Sequence, residues 1–337
     1  MNPRVVAILV VLLVVLGGAA LLLQREDAAQ RPQDAGSLGR PLLQDLKAAD
    51  VTTIRIVEPK AKLTLVRQQE GWAIEERAGF PADLAKVREF VIKLIELKVG
   101  QSDPVGDADR ARLNLDDSGT RVELDGAGGK ALARLTVGKK YFRREVDNPE
   151  RAAADGRFVA LPAEAKIAYV VSDPLAQASA KSADWIDRTS FQVEKVKSLE
   201  VRYPAGGGWR LERAGENAPW KLDHQKPGEK VDSSRGNAAT YSLSMLELAD
   251  VAPKDAPDTG LDKPTLLNAV TLDGRRYEIR LGKLAGDDYS LTLRASGGAD
   301  KPREKMLSDY LLLVPKSKFD DTLKKRAELL EKKETKK

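Results

Sequence analysis

The chain has 337 residues, of which 32% are charged, and it contains one histidine and no cysteine. The lack of cysteine excludes disulfides, cysteine-bound metal centres and a thiol nucleophile, so any catalytic or metal site would have to use carboxylates, serine, lysine or His224. Of the net charge of +5, residues 316–337 contribute +4, with nine basic and five acidic side chains, and Arg4 contributes +1, whereas residues 24–315 hold equal numbers of both. This neutral body predicts no nucleic-acid binding, which needs clustered positive charge on the folded part.

An apolar segment lies at the start of the chain. Residues 5–23 contain nineteen amino acids without a charged side chain, and a helix needs about 20 apolar residues to cross a bilayer. A cleaved signal peptide, with a shorter apolar core of about 7–15 residues, is the alternative. We predict an uncleaved signal anchor, with residues 1–4 in the cytoplasm because Arg4 precedes the span, and with the rest of the chain outside the cytoplasm.

The remainder of the sequence divides into a tether, two similar halves and a tail. Residues 24–50 are polar and contain prolines and glycines, as a flexible tether does. After the tether, a series of strands, turns and one helix occurs twice, which predicts an internal duplication. We predict repeats over residues 51–175 and 196–315, a helical connector over 176–195, and a charged helical tail over 316–337.

Matching strands begin the two halves. Alternating apolar residues at positions 51–56 and 196–201 are typical of half-buried strands. In each half the next strand is followed by a turn and by a strand that contains a tryptophan, at positions 71–74 and 219–222. These patterns predict a β-hairpin in each half.

A helix is predicted after the hairpin in each half. In the first half, Asp83 is a suitable N-cap for a helix whose apolar positions recur at helical spacing and are Val87, Phe90, Val91, Leu94, Ile95 and Leu97. In the second half, Tyr241, Met245 and Leu248 have similar spacing after Asp232 or Ser233. These stripes predict one helix packed on each sheet.

The later part of each half repeats a series of short motifs. They are Leu115-Asp116 and Leu261-Asp262, Asp125-Gly126 and Asp273-Gly274, and Gly138-Lys139 and Gly282-Lys283. Asp-Gly between alternating strands predicts a hairpin, and each half closes with a strand that ends in proline, at 158–162 and 310–315. The predicted fold is therefore α+β, an N-terminal transmembrane helix followed by two tandem repeats of a mostly antiparallel sheet with a packed helix.

No pattern in the sequence predicts a catalytic, cofactor-binding or metal site. His224 follows a short strand in which the adjacent Asp223 would point to the opposite face, so a solvated histidine is expected. The glycine-rich residues 125–130 lack the spacing and the following helix of a phosphate loop. The ligand pattern of a calcium loop is absent from the acidic turns at 107–109, 116–117 and 287–288.

Two further patterns concern burial. Trp72 and Trp220 occupy matching places in the two halves, which favours core anchors over an aromatic ligand cage, whereas the unmatched Trp185 and Trp209 are candidates for an interface. The tail from residue 319 has an apolar stripe too narrow for deep burial, so a solvated helix is expected, with contact to anionic lipid as the alternative.

Several of these motifs occur together in one known family. The chain resembles the bacterial DUF4340 family over roughly residues 50–315, on the basis of the anchor, the repeated layout, and the motifs Gly71-Trp72-Ala73-Ile74, Gly260-Leu261-Asp262-Lys263-Pro264 and Leu281-Gly282-Lys283. In the first half Asn114 stands where the family has glycine, which leaves that turn type open. The resemblance implies a membrane-anchored extracytoplasmic accessory of ABC-type transport systems linked to gliding motility, and it implies no catalytic residues.

The anchor, the duplication and the absence of a catalytic pattern predict a non-enzymatic scaffold. It would be a single-pass protein of the bacterial inner membrane with its C-terminal ectodomain in the periplasm, binding envelope proteins such as ABC transporter subunits and using no cofactor. Two alternatives stay open, a periplasmic protein that binds glycan or peptide and a carboxylate-dependent hydrolase. Paired carboxylates with raised pKa in a polar cleft would favour the hydrolase, and a flat exposed apolar patch would favour the scaffold.

Overall fold

The computed structural model describes residues 38–69, 71–186, 188, 192–252, 256–298 and 301–331. Within these ranges no helix is long and apolar enough to cross a membrane. The anchor predicted at residues 5–23 lies outside the described residues.

The described chain is mostly β-structure, arranged in two antiparallel sheets with few helices. The earlier strands are β1 (Thr53–Glu58), β2 (Ala61–Gln68), β3 (Gly71–Ile74), β4 (Phe80–Pro81), β5 (Val99–Pro104), β6 (Thr120–Asp125), β7 (Ala131–Tyr141), β8 (Gly156–Ala160) and β9 (Ile167–Val171). The later strands are β10 (Val196–Arg202), β11 (Gly208–Glu212), β12 (Lys221–Leu222), β13 (Asp250–Ala252), β14 (Thr265–Thr271), β15 (Arg276–Ala285), β16 (Asp288–Ser296) and β17 (Leu311–Pro315). The α-helices of the described part are α1 (Leu84–Glu96), α2 (Asp107–Arg112), α3 (Ser233–Tyr241) and α4 (Lys301–Ser308).

The chain forms two compact units. The first unit contains the described residues up to Ala61 together with Arg88–Ser179, and the second contains Lys62–Val87 together with the described residues from Ala180 on. The division interrupts the first half of the sequence, because residues 62–87 belong to the same unit as the second half.

Six strands of the first unit follow the order β1-β6-β7-β8-β9-β5, with every neighbouring pair antiparallel. Alternate residues are buried in β1, whereas β9 is buried on both faces, and the cross-strand pairs Ile54–Leu124 and Val137–Val159 are 2% exposed or less. The burial pattern of β1 is the one that the alternating sequence predicts, since successive side chains of a strand point to opposite faces.

Six strands of the second unit have the corresponding order, β10-β14-β15-β16-β17-β13, again antiparallel throughout. Strands β11 and β12 continue this sheet beyond β10. The second unit also contains β2, β3 and β4, which pair antiparallel in that order. The predicted Asp-Gly hairpins, between β6 and β7 and between β14 and β15, are confirmed.

The strand count predicted for each half was too low. The strands β5 and β13, which follow the helices, were missed because both are edge strands without a run of alternating apolar residues, β5 being polar and β13 only three residues long. Strand β9 of the first half and strand β16 of the second half were missed as well. The match of 158–162 with 310–315 was therefore wrong, because the strand order places β8 with β16 and β9 with β17.

The two predicted helices differ in outcome. Helix α1 has the expected buried stripe, and the Asp83 carboxylate caps it by accepting hydrogen bonds from the backbone N–H groups of Ala85 at 2.9 Å and Lys86 at 3.2 Å. Helix α3 is capped by Asp232, one of the two predicted start residues, but it ends at Tyr241, which is 64% exposed. Its buried residues are instead Gly236, Ala239 and Thr240, because only a small residue at position 236 fits against the Trp220 ring.

The connector and the tail are not the predicted α-helices. Between residues 176 and 195 the described chain has a 3-10 turn, Ser182–Asp184, followed by a bridge from Ile186 to Ala82 that holds the segment extended. From residue 316 to 331 the chain is irregular with two 3-10 turns. The tail was expected to be solvated, yet Phe319 and Leu329 are fully buried, because isolated apolar residues of an irregular segment reach the core without any helical stripe.

Candidate functional site

An open groove lined by charged, polar and small apolar residues lies in the second unit, along β14, β15, β16 and α4, with a volume of about 750 Å³. Two rows of residues that lie directly opposite one another on β14, β15 and β16 line its strand side. The first row is Asn268, Glu278 and Arg294, and the second is Val270, Arg276 and Ser296. Helix α4 contributes Glu304, Lys305 and Ser308. The groove therefore combines residues that are separated by up to 40 positions in the sequence.

The charges of the groove are only partly neutralised. Arg276, Arg294 and Lys305 are exposed, and their side chains form no hydrogen bond or ion pair within the described residues. The carboxylate of Glu304 accepts a hydrogen bond from the backbone N–H of Gly298 at 2.6 Å. Because a guanidinium binds a carboxylate through two parallel hydrogen bonds, the two arginines are suited to hold acidic groups of a polypeptide.

A second cluster surrounds Asp250. Arg77 donates from Nε to Oδ1 at 3.0 Å and from Nη2 to Oδ2 at 2.8 Å, and the Ser182 hydroxyl donates to the same carboxylate at 2.9 and 3.0 Å. Burial raises the pKa of Asp250, but the hydrogen bond of Arg77, the backbone N–H of Val251 and Ser182 together bring the pKa below its ordinary value. Since both carboxylate oxygens are engaged, the cluster is a structural ion pair.

Asp288 has the opposite shift. Burial raises its pKa, and the negative charges of Asp287 and Asp250 raise it further. Two carboxylates with opposite pKa shifts are what an acid–base pair requires. Here, however, Arg77 and Ser182 donate hydrogen bonds to both carboxylate oxygens of Asp250, and Ser182 is 5% exposed. The two aspartates therefore include no free carboxylate that could act as a base.

A third cluster lies in the first unit, at the end of β6. Arg55 donates from Nε to Glu123 at 3.0 Å, and both Arg55 and Arg134 pair with the buried carboxylate of Asp125. Burial raises the pKa of Asp125, but the hydrogen bonds and charges of Arg134 and Arg55 outweigh this effect, and the pKa is lowered. The two positive and two negative charges balance, which is typical of a structural network.

The sequence features that were weighed as sites are dispersed. His224 is an exposed turn residue with a φ of 46°. The glycine-rich residues 125–130 form the predicted hairpin turn. Asp109 pairs with Arg112, Asp116 accepts hydrogen bonds from Ser118, and Asp117 pairs with Arg121. In the part of the chain that the structure describes, no three acidic or histidine side chains are grouped as a metal ion would need.

The tryptophans belong to the interior. Trp220 is 6% exposed and donates from Nε1 to the Asn237 side chain at 2.7 Å, in agreement with its prediction as a core anchor. Trp72 is half-buried. Trp185 and Trp209 are both 2% exposed, so this burial contradicts the interface role considered for them.

A glycine-dependent turn explains the motif shared by the two halves. A Cβ at Gly138 would lie 2.4 Å from the carbonyl oxygen of Leu113, and a Cβ at Gly282 would lie 2.1 Å from that of Thr259. The following lysine donates its backbone N–H to the same carbonyl at 2.9 Å in each unit. Only glycine allows this approach of the carbonyl oxygen. The need for glycine at these positions could not be predicted from the sequence, because the carbonyl belongs to a residue more than twenty positions earlier.

The open question about the turn at Asn114 is resolved by the backbone. Asn114 has a φ of 55° and Gly260 a φ of 69°, so both are left-handed. Asparagine is the side chain that tolerates this region best after glycine. The substitution of the family's glycine therefore preserves the turn.

The motifs with these structural roles agree with one family. The family described as "Domain of unknown function (DUF4340)" matches residues 72–264, which is more than half of the chain. No curated protein and no solved structure matches the chain. The chain therefore belongs to the DUF4340 family.

Proposed function

We propose that this protein is a non-enzymatic scaffold, anchored in the membrane, that holds other envelope proteins through the groove of its second unit. The observation that carries the proposal is a pair of exposed arginines, Arg276 and Arg294, at diagonal positions on the neighbouring strands β15 and β16 of an open groove, neither of which forms an ion pair within the described residues. Clustered arginines are enriched at protein interfaces, because their guanidinium groups make several directed hydrogen bonds at once.

We propose that the ectodomain consists of two tandem repeats, over residues 51–175 and 196–315. The identical order of six strands in each unit supports this proposal. The glycine turns at Gly138 and Gly282 support it as well, since each accepts the same close approach at the same place in the strand order. A duplicated sheet gives a rigid framework on which one copy can present a contact surface.

We propose that residues 5–23 anchor the protein in the bacterial inner membrane and that the ectodomain lies in the periplasm. The uncharged run of nineteen residues and the position of Arg4 support this topology. The family resemblance supports subunits of an ABC-type transport system as the proposed partners.

The scaffold accounts for the groove better than the two alternatives. Small-ligand sites enclose most of the ligand surface, whereas this groove is open. The buried carboxylate of Asp125 and the partly buried carboxylate of Asp250 are paired with arginines, so they do not supply the free acid and base of a hydrolase. In addition, Tyr241 at the end of α3 and Met245 in the 3-10 turn that follows expose 64% and 47% of their surface, which gives the second unit exposed apolar area for contacts.

The test is purification of the full-length, tagged protein from its native membranes in a mild maltoside detergent, followed by mass spectrometry. The groove variant carries Arg276→Gln and Arg294→Gln. The control carries Lys221→Gln and Lys263→Gln, which remove the same charge from exposed positions outside the groove. We expect envelope proteins to accompany the wild type and the control and to be depleted from the groove variant. Recovery of no envelope protein with the wild type would contradict the scaffold function.

A further inference from the structure

The first unit has two cations at positions where the second unit has an apolar pair. Lys140 on β7 lies directly opposite Arg157 on β8. In the second unit Leu284 on β15 lies directly opposite Tyr289 on β16. In both units this pair is the first one after a register shift between the two strands. The strand orders of the two units make these pairs equivalent.

The apolar pair of the second unit is stabilised by packing. The ring of Tyr289 meets the ring of the buried Phe319 edge-on, with centroids 5.9 Å apart. A cation pair has no such stabilisation, because like charges directly opposite each other on neighbouring strands are destabilising.

Lys140 is held by a loop that the second unit lacks. Its ammonium donates to the carbonyl oxygens of Pro149 at 3.2 Å, Glu150 at 2.8 Å and Ala152 at 3.1 Å. These residues belong to the connection between β7 and β8, residues 142–155, where the second unit has only residues 286–287. Because all three N–H groups of the ammonium are used in these hydrogen bonds, Lys140 can offer a bound ligand its positive charge but no further hydrogen-bond donor.

Arg157 is different, because nothing in the described residues neutralises it. Its Nε is buried without a hydrogen-bond partner, and no carboxylate in the described part of the chain pairs with its guanidinium. Burial alone lowers its pKa. A partly buried cation without a counter-charge is costly, and the cost is relieved when an anion binds.

We propose that Arg157, supported by the charge of Lys140, is the recognition residue of an oxyanion site whose ligand presents phosphate or carboxylate oxygens. Guanidinium groups bind both kinds of oxygen through short, charge-assisted hydrogen bonds. The site lies in the first unit and does not depend on the groove of the second unit. It adds a ligand-binding activity to the proposed scaffold.

The experiment measures thermal unfolding of the full-length protein in maltoside, with phosphate or acetate replacing chloride at constant ionic strength. A ligand that binds the folded state raises the unfolding temperature in a saturable way. We expect such a rise for the wild type and for the control Arg144→Gln, which removes an exposed arginine of the same loop. The variant Arg157→Gln should weaken the apparent affinity about tenfold or more. The more effective of the two anions identifies the class of ligand.

Two results would overturn the proposal. One is the absence of any rise with either anion in the wild type, and the other is an equal rise in Arg157→Gln. Should Arg157→Gln fail to fold, the double variant Lys140→Leu with Arg157→Tyr copies the pair of the second unit and is expected to fold without responding to anions. An anion response in that double variant would equally contradict the site.

Discussion

Arg77 and Asp250, which are 173 positions apart in the sequence, form a two-pronged ion pair inside the second unit. Their side chains are 24% and 23% exposed, and Ser182 completes the contacts of the carboxylate. The pair ties the segment that carries β2, β3 and β4 to strand β13. It is therefore a direct physical reason for this segment to belong to the second unit.

Removing the guanidinium should destabilise the protein. We expect Arg77→Gln to lower the free energy of unfolding by about 1–3 kcal/mol, because the carboxylate of Asp250 would remain partly buried with fewer hydrogen bonds. Urea denaturation measures the loss, and Asp250→Asn and the double variant complete a cycle. Additive losses in the double variant would show that the two side chains do not interact energetically.

The close approach at Gly282 predicts a second loss of stability. In Gly282→Ala the new methyl group would lie 2.1 Å from the Thr259 carbonyl oxygen, so the turn must shift, at a cost of about 1–3 kcal/mol. Gly215→Ala is the control, since a Cβ there meets nothing within 4 Å. Equal unfolding midpoints for the two variants would contradict the role assigned to this glycine.

The C-terminal segment should act as part of the fold. Phe319 is fully buried against Tyr289, and the carbonyl oxygen of Lys324 accepts a hydrogen bond from Trp209 Nε1 at 2.7 Å. Phe319→Ala is expected to cost about 3–5 kcal/mol, as for other buried aromatic residues. The exposed neighbour supplies the control Ser317→Ala, which should leave the denaturation curve unchanged; a Phe319→Ala protein as stable as this control would mean that the segment is dispensable.

The same segment predicts a dependence of stability on pH. The hydrogen bond from Arg326, followed by that from the backbone N–H of Lys226, lowers the pKa of Glu229 from 4.5 to about 2. Because the folded-state pKa lies below the unfolded-state value, this pair stabilises the protein above pH 4.5, and the stabilisation is lost as the pH falls toward about 2. Denaturation at several pH values should show the stability advantage of the wild type over Glu229→Gln shrinking across this interval. A constant difference would count against the assignment.

Local patterns predicted much of the fold. The spacing of Val87, Phe90 and Leu94 sufficed for α1, and Asp-Gly sufficed for two hairpins, because helical periodicity and turn chemistry are properties of neighbouring residues. Strands β5 and β13 escaped prediction since edge strands need few apolar residues. The packed tail escaped it because its partners lie far away in the sequence.

The candidate sites were beyond the reach of the sequence for a related reason. The groove requires residues of three strands and a helix to meet, and no local motif marks that meeting. Likewise, the significance of Arg157 depends on its register with Lys140 and on the absence of a counter-charge among the described residues. Once the common strand order of the two units is known, however, a comparison of equivalent positions such as Arg157 and Tyr289 shows that a cation in the first unit replaces an aromatic residue of the second.

The most direct test of the scaffold function is crosslinking in living cells from inside the groove. A photoreactive amino acid replaces Ser296, which lies directly opposite Arg276 and two positions after Arg294 on β16, and in a control it replaces the exposed Lys221 outside the groove. The proposed function predicts covalent adducts with envelope proteins from position 296 and none of these adducts from position 221. The absence of adducts at position 296, or the same adducts from both positions, would contradict it.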